Sequence, residues 1–219
     1  MKEIFQFLRD LAANNDRAWF HENKERYDSV AAKIKLIAAE MIAHVSSFEP
    51  AAASLEPQQT LYRIYRDTRF SPDKRPYKTW MGIYVNPRGR KSMHGGYYLH
   101  LEPGECMVAG GCWWLDSKVL KEVREDIVLN LEKFRDIVEK PTFKKLYKTI
   151  GSEHLKTIPK GFAKDFPYPE YIRPKNYIVY RSLPDNFFLD NDWQKEVTKL
   201  FRLMKPFVDF INETVDDYI

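Results

Sequence analysis

Apolar residues recur at three- and four-residue spacing near the start of the chain, which is the pattern of an amphipathic helix. Residues 3–12 form the first such stretch. Its apolar stripe consists of Ile4, Phe5, Leu8 and Leu11. Residues 14–16, Asn-Asn-Asp, then offer capping side chains for a second helix, which apolar spacing extends to about Ser47. The sequence therefore predicts one short and one long helix at the N-terminus.

The middle of the chain changes to an alternation of apolar and polar residues, which is typical of half-buried strands. The segments that show it are residues 61–67, 80–86, 97–102, 107–114 and 177–183. Short connections between successive strands, including a turn at residues 87–90, favour antiparallel pairing. The glycine pairs at residues 95–96 and 110–111 flank strands; they permit close backbone approach or a bulge, and a turn is the favoured interpretation.

Helical periodicity returns after the first four strands. The predicted helices cover about residues 116–130, residues 132–138 and a short segment from Pro141. Asp116 or Ser117 caps the first of them. Residues 150–174 are irregular and rich in Lys and Pro. A last helix begins at about Asp192, and Pro206 is expected to kink or restart it.

The order of helices, then strands, then helices predicts an α+β protein. We expect a single domain over residues 1–219, in which a mainly antiparallel sheet is packed by the long N-terminal helix and the C-terminal helices. Hydrophobic residues make up 44% of the 219 positions and charged residues 30%, so the chain can build a core and does not have the composition of a disordered protein.

The charge balance is only mildly basic. The 35 Lys and Arg residues exceed the 31 Asp and Glu residues by four, a weaker excess than dedicated nucleic-acid binders usually carry. No apolar run has the length of a membrane span, so we expect no membrane partner. Cys106 and Cys112 form no CxxC pair, and we expect both to be free thiols in a reducing cytoplasm.

The most informative part of the chain is residues 63–79, R-I-Y-R-D-T-R-F-S-P-D-K-R-P-Y-K-T, here called the basic segment. It holds six cations and only two acids, and cations held close together repel one another unless an anion neutralises them. We therefore predict an anion-binding site in this segment. Its predicted binding residues are Arg63, Arg66, Arg69, Lys74 and Lys78, with Asp67, Tyr77, Tyr98 and Arg181 as auxiliary residues.

The cations of the basic segment also fit two alternative hypotheses, which stay open. The arginines can form internal ion pairs, for example Arg66 with Asp73, in a domain that acts through a protein partner. Alternatively, the segment belongs to a nucleic-acid-binding module in which cations bind phosphates and aromatic rings stack on bases. A small-anion site predicts that Arg69→Ala abolishes anion binding in a folded protein.

A second candidate lies on the strand at residues 97–102. Tyr98, His100 and Glu102 share one face of this strand, while three apolar residues share the other. A histidine beside a glutamate suits general acid–base chemistry, so His100 and Glu102 are the candidate catalytic residues. A metal site would need further ligands, and none is assigned. A half-buried sheet face, in which the histidine bonds a neighbouring side chain, produces the same pattern.

The sequence shows no motif for a serine nucleophile or a nucleotide loop. Ser71 and Ser182 have no histidine at a diagnostic spacing, and the glycine pairs do not form a phosphate-binding loop. The two cysteines fit packed thiols better than nucleophiles.

Several segments resemble the family catalogued as domain of unknown function 2461. They are the basic segment, then H-G-G-Y-Y-L-H-L-E-P-G-E and G-G-C-W, with the opening F-L-R-D-L-A-A-N-N-D-R-A-W-F-H-E-N-K-E-R-Y and the later P-K-G-F and Y-R-S-L-P-D. The resemblance covers about residues 4–212 and implies one domain spanning the chain. It brings no reaction and no catalytic residue.

These features together predict a cytosolic enzyme, or an enzyme-like binder, for a small phosphorylated or carboxylated molecule. The Arg and Lys side chains hold the anion in this hypothesis, and His100 or Glu102 moves a proton. The nucleic-acid-binding module and the protein-interaction domain remain the alternatives. Neither a cofactor nor an oligomeric state follows from the sequence.

Overall fold

Helices precede and follow a central run of strands in the computed structural model, which describes residues 1–218. The helices are α1 (Lys2–Ala13), α2 (Arg17–Glu22), α3 (Lys24–Ser46), α4 (Pro57–Thr60), α5 (Ser117–Leu129), α6 (Leu131–Val138), α7 (Pro141–Leu146), α8 (Pro169–Ile172) and α9 (Trp193–Tyr218). The strands are β1 (Met81–Val85), β2 (Gly96–Leu101), β3 (Met107–Cys112) and β4 (Tyr177–Ser182). Short 3-10 helices cover Pro50–Ser54 and Asp185–Leu189.

The strands of the described chain form one antiparallel sheet in the order β1-β2-β3-β4. Strands that follow one another in sequence are therefore neighbours in the sheet, as short connections favour. The connection from β3 to β4 is longer, since it holds α5 to α8. The predicted fold class, an α+β protein with a mainly antiparallel sheet packed by helices, is confirmed.

The chain clusters into two compact units. Unit 1 comprises Met1–Arg90, Tyr98–Val108 and Ser182–Lys199, and unit 2 comprises Lys91–Tyr97, Ala109–Arg181 and Leu200–Ile219. In unit 1, α3 packs against α1, α4 and β1, so the predicted N-terminal helix does pack on a strand of the sheet. The buried side chains of this unit include Phe5, Leu8, Ile34, Met41 and Ile83.

Unit 2 is built on the apolar face of α9. Phe201 lies against Tyr97 of β2 with ring centroids 5.4 Å apart, and Phe210 lies 5.1 Å from Phe134 of α6. Met204 and Phe207 of the same helix are fully buried. Burying side chains of this size removes large apolar areas from water, and this drives the packing of the helix on the strands.

The predicted strand over residues 61–67 is wrong. The segment makes only two isolated bridges, at Leu61 and Tyr65. The segment that faces it contains Pro76, which has no N–H and only accepts a hydrogen bond, from the backbone of Arg66 at 2.9 Å. The basic segment is therefore an irregular chain and does not present two alternating faces.

The predicted long second helix is two helices in the structure, α2 and α3. The break lies at Asn23, whose side-chain amide donates to the carbonyl oxygen of Trp19 at 3.0 Å. An asparagine that bonds the nearby backbone in this way competes with helical hydrogen bonding. The cap at the start is confirmed, because the Asp16 side chain accepts from the backbone N–H of Trp19 at 2.9 Å.

Gly110 and Gly111 lie inside β3, so the turn favoured at this pair is wrong and the alternative of close backbone approach applies. A β-carbon on Gly110 would lie 2.7 Å from the sulfur of Met204. Gly111 has a φ of 118°, and a β-carbon on it would lie 2.2 Å from the backbone oxygen of Tyr177. Close approach by α9 and by β4 therefore accounts for this glycine pair.

The last helix runs from Trp193 to Tyr218 without a restart at Pro206. Within residues 1–218, no helix combines the length and the apolar character needed to cross a bilayer.

Cys106 and Cys112 are free and buried, as the sequence predicts. Burial raises the pKa of the Cys106 thiol to about 11 and that of the Cys112 thiol to about 12. Both thiols therefore stay protonated at neutral pH, and this agrees with a packing role rather than a nucleophilic one.

Candidate functional site

Three cations of the basic segment pair with its two acids. Arg69 forms a two-point pair with Asp67, with N···O distances of 3.0 and 2.7 Å. Arg66 and Arg75 both donate to Asp73, the latter at 2.8 Å. For these arginines the structure shows the internal pairing that the sequence leaves open, including the Arg66–Asp73 pair.

The pairing keeps both acids ionised. Hydrogen bonds from Arg69 lower the pKa of Asp67 to about 2. Hydrogen bonds from Arg75 and Arg66 also hold the pKa of Asp73 well below its usual range.

Replacing Arg69 by alanine is expected to return the pKa of Asp67 toward its ordinary value of 3.8 while the thermal midpoint at pH 7 hardly changes. The lowered pKa stabilises the fold above pH 3.8, and this contribution is lost as the pH falls toward 2. It is small because both side chains are exposed and screened by solvent. A 13C NMR titration of the carboxyl group and a melting curve measure the two effects. A pKa that stays near 2 would contradict the assigned pair.

Two of the remaining cations of this segment belong with Arg90 to a different group, here called the Lys78 cluster. It consists of Arg63, Lys78 and Arg90 with the rings of Tyr62 and Trp80. The Lys78 ammonium lies 4.8 Å from the Trp80 ring centroid and 5.7 Å from that of Tyr62. The Arg90 guanidinium lies 5.4 Å from the same tyrosine ring. These distances are typical of cation–π contacts.

Within the described residues, no cation of the Lys78 cluster forms an ion pair with a carboxylate, although the charge of Arg63 contributes to the lowered pKa of Asp67. Lys78 donates to the backbone oxygen of Arg63 at 2.6 Å, and Arg90 donates to the backbone oxygen of Leu61. Burial lowers the pKa of Lys78, and the charges of Arg63 and Arg90 lower it further. Three like charges are therefore held close together, and in the described chain only Arg63 has a carboxylate, that of Asp67, near enough for a charge interaction.

The polar face of β2 forms a continuous chain of hydrogen bonds, here called the Tyr98 row. The Tyr98 hydroxyl bonds Nδ1 of His100 at 2.8 Å, and Nε2 of His100 bonds Glu102 at 2.9 Å. The Thr79 hydroxyl donates to the other carboxylate oxygen of Glu102 at 2.5 Å. The predicted alternation of this strand is confirmed, since Tyr97, Leu99 and Leu101 are buried on the opposite face.

The partners determine which atoms of the Tyr98 row carry protons. An ionised Glu102 only accepts, so Nε2 of His100 carries a hydrogen and donates it. In neutral His100 the remaining nitrogen, Nδ1, then accepts the hydroxyl hydrogen of Tyr98. Burial raises the pKa of Tyr98, so this hydroxyl stays protonated and acts as the donor. The row is a base, His100, held between a hydroxyl and a carboxylate.

Trp80 connects the Tyr98 row to the Lys78 cluster. Its ring centroid lies 5.0 Å from that of His100, and the Lys78 ammonium lies over the same indole. Gly82 makes this arrangement possible, because a β-carbon there would lie 2.7 Å from the Tyr98 hydroxyl and 2.9 Å from the Trp80 ring. The cations and the titratable row predicted from separate segments therefore meet in unit 1.

The remaining predicted site residues lie elsewhere. The Lys74 ammonium is exposed and donates to the backbone oxygen of Thr68 at 3.0 Å. Tyr77 is buried and stacks on Phe20 at 4.0 Å, so it is part of the core of unit 1. Arg181 belongs to unit 2, where its charge lowers the pKa of Tyr147 against the larger opposite effect of burial. No group of three His, Cys, Asp or Glu side chains in residues 1–218 is placed to hold a metal ion.

Sequence reasoning missed three residues of this site: Tyr62, Thr79 and Arg90. Thr79 precedes β1 and carries no motif, and its role depends on the position of Glu102 on the next strand. Arg90 lies in a predicted turn, which gives it no role in a site. A register for β1 against β2 is the signal that would place Thr79 beside Glu102, and the sequence alone does not provide it.

Comparison with known proteins identifies one family. Residues 3–210 match the family model described as conserved hypothetical protein (DUF2461). No curated protein and no solved structure matches the chain. The match spans nearly all of the 219 residues and agrees with the resemblance found in the sequence.

Proposed function

The chain belongs to the DUF2461 family, and because the family description names no activity, we propose its function from the site in unit 1. The protein binds a small phosphorylated or carboxylated molecule at the Lys78 cluster. The neighbouring Tyr98 row then moves a proton to or from the bound molecule. The observation that carries this proposal is a group of three cations that form no ion pair with a described carboxylate.

An anion bound at the Lys78 cluster reduces the repulsion among its three cations. The ammonium of Lys78 has three donors, of which one is used by the backbone of Arg63. Arg63 itself is exposed and brings a planar fork suited to phosphate or carboxylate oxygens. An anion bound here raises the pKa of Lys78 again, because its negative charge stabilises the protonated ammonium. The protonated ammonium stabilises the bound anion by the same interaction.

The Tyr98 row supplies the chemistry in this proposal. The His100 ring is 8% exposed and lies beside Trp80, so a proton acceptor is kept in a partly desolvated place. Glu102 stabilises the imidazolium that forms when His100 takes a proton, and Thr79 orients Glu102. The residues proposed for catalysis are thus His100 as the base and Glu102 as its partner.

We also assign the protein to the cytoplasm. The two buried free thiols support this location, because unpaired cysteines persist in a reducing compartment.

A structural role is the second candidate for one part of the basic segment. Arg66, Arg69 and Arg75 all bond carboxylates of the same loop. These pairs give the loop its shape, so their removal is expected to affect loop order more than anion affinity.

A thermal-shift screen tests the anion proposal. Inorganic phosphate, a sugar phosphate, a nucleotide, a dicarboxylate and a single-stranded oligonucleotide are compared. A ligand at a hundred times its Kd stabilises by about 2.7 kcal/mol, which raises the midpoint of a domain of this size by roughly 5–10 °C. We expect a small anion to give this shift and Lys78→Gln to abolish it.

The control is Lys35→Gln, which makes the same charge change at an exposed lysine of α3. This variant is expected to retain the full shift. A shift that survives Lys78→Gln, or none with any small anion, would exclude this site. Stabilisation by the oligonucleotide alone, lost steeply with added salt, would instead favour the nucleic-acid-binding module.

A further inference from the structure

Unit 2 contains a chain of hydrogen bonds that joins a serine, a histidine and an aspartate. The Ser92 hydroxyl bonds Nδ1 of His94 at 2.7 Å, and Nε2 of His94 bonds Asp216 of α9 at 2.9 Å. His94 is only 5% exposed, whereas Ser92 is half-buried and can be reached from solvent. These are the three residue types of a nucleophile, its base and the group that orients the base.

The hydrogen-bond partners determine which atom donates each hydrogen. Asp216 is half-exposed and, when ionised, only accepts, so Nε2 of His94 donates to it. Nδ1 of neutral His94 is then an acceptor for the hydrogen of the Ser92 hydroxyl. The backbone N–H of His94 also donates to the Ser92 oxygen at 3.1 Å, and this fixes the hydroxyl on the base.

A separate pair of contacts holds the loop that carries Ser92. The backbone N–H of Gly95 donates to the Asn212 side chain at 2.6 Å, and the Asn212 amide donates back to the Gly95 oxygen at 3.3 Å. Asn212 and Asp216 lie one turn apart on α9, so the same helix fixes both the loop and the histidine. The geometry of the three residues is therefore preorganised rather than dependent on a mobile loop.

Two further features around Ser92 suit acyl transfer. The backbone N–H of the following residue, Met93, has no acceptor among the described residues, and a donor at this position stabilises the oxyanion in many serine hydrolases. The Cys112 thiol bonds the backbone oxygens of Met93 at 2.6 Å and of Trp114 at 3.1 Å. Trp113 and Trp114, each 63% exposed, thus border this loop and offer an apolar surface.

We propose that Ser92 is the nucleophile of an acyl-transfer site that takes carboxylic esters with an apolar acyl group. The Ser92 oxygen attacks the ester carbonyl carbon while its proton passes to Nδ1 of His94. The tetrahedral intermediate collapses, the alkoxide leaves with that proton, and the acyl group remains on Ser92. Water, deprotonated by His94, then releases the carboxylic acid and restores the serine.

This site is independent of the anion site in unit 1, because the two share no residue. Ser92 is not identified from the sequence, where only Ser71 and Ser182 are considered as nucleophiles. Its histidine is only two residues away, which is no known motif, and its aspartate lies on the last helix.

Labelling with a fluorophosphonate probe tests the proposal. The serine oxygen forms a P–O bond with the probe and expels fluoride, so only an activated serine reacts readily. We expect peptide mapping of the wild-type protein to place the adduct on Ser92. Hydrolysis of p-nitrophenyl butanoate should be faster than that of the acetate, because the longer acyl group contacts the exposed indoles. Ser92→Ala should abolish both labelling and hydrolysis.

Three further variants separate reactivity from folding. Ser182→Ala, at an exposed serine of β4, should label like the wild type. Asp216→Asn should slow labelling by about 10²-fold or more, the size of a positioned general base, and Asp216→Glu should restore part of the rate. Wild-type protein with a cooperative melt and no adduct on Ser92 would overturn the proposal. Labelling at Ser92 that is unchanged by Asp216→Asn would overturn the role of the aspartate.

Discussion

Replacing Gly111 by alanine is expected to cause the largest loss of stability of any single methyl addition in β3. The added β-carbon would lie 2.2 Å from the backbone oxygen of Tyr177, so β3 and β4 must separate locally. The residue would also keep a φ of 118°, which an L side chain rarely adopts. Backbone strain of about 1–2 kcal/mol and overpacking of about 1–3 kcal/mol predict a total loss of roughly 2–5 kcal/mol.

A chemical denaturation curve measures this loss, and Gly104→Ala is its matched control. Gly104 also has a positive φ, 85°, but a β-carbon there meets no atom within 4 Å. Gly104→Ala should therefore show the backbone strain alone, and Gly111→Ala the strain and the clash together. Equal losses for the two variants would mean that β4 does not approach Gly111 as described.

Replacing His100 by alanine is expected to lower the free energy of unfolding by about 2–4 kcal/mol. Each buried polar group that is left without a hydrogen-bond partner costs about 1–3 kcal/mol. The change leaves the Tyr98 hydroxyl and the Glu102 carboxylate without their shared partner. The loss should lie toward the lower end, because the Glu102 side chain is 21% exposed and water partly replaces the imidazole. Urea denaturation monitored by circular dichroism gives the value.

A double-mutant cycle with Tyr98→Phe identifies the cause of that loss. In the wild-type background the phenylalanine removes one hydrogen bond and should cost about 0.5–1.5 kcal/mol. In the His100→Ala background the hydroxyl has already lost its partner, so its removal should be neutral or stabilising. Strictly additive losses would show that Tyr98 and His100 do not interact.

The fold class follows from the sequence because it depends on local periodicity. The apolar stripe of α1 and the alternation along β2 are each visible within a few residues, and both are confirmed. Two of the wrong predictions involve partners outside the segment itself. Gly111 is constrained by β4, and the irregular chain at residues 61–67 results from Pro76 on the facing segment. Such pairings are not encoded in a local pattern.

In the candidate site, too, local patterns are visible in the sequence, whereas the contacts formed on folding are not. His100 and Glu102 could be selected as a pair because they alternate on one strand, and Lys78 because it belongs to a segment rich in cations. The Arg66–Asp73 pair could be named as a possibility, but the full set of paired cations could not be predicted, since Arg69 and Lys78 look alike in sequence. The loop conformation gives Arg69 an acid two residues away, and places Lys78 over Trp80 instead.

The most direct test of the anion site is a 15N NMR titration of the Lys78 ammonium and the His100 ring. Protein labelled at lysine and histidine is titrated with the small anion that gives the largest thermal shift. Saturable changes at both residues, with a rise in the pKa of Lys78, would support binding beside the Tyr98 row. If the anion binds while both signals stay unchanged, the site lies elsewhere and the proposed function is wrong.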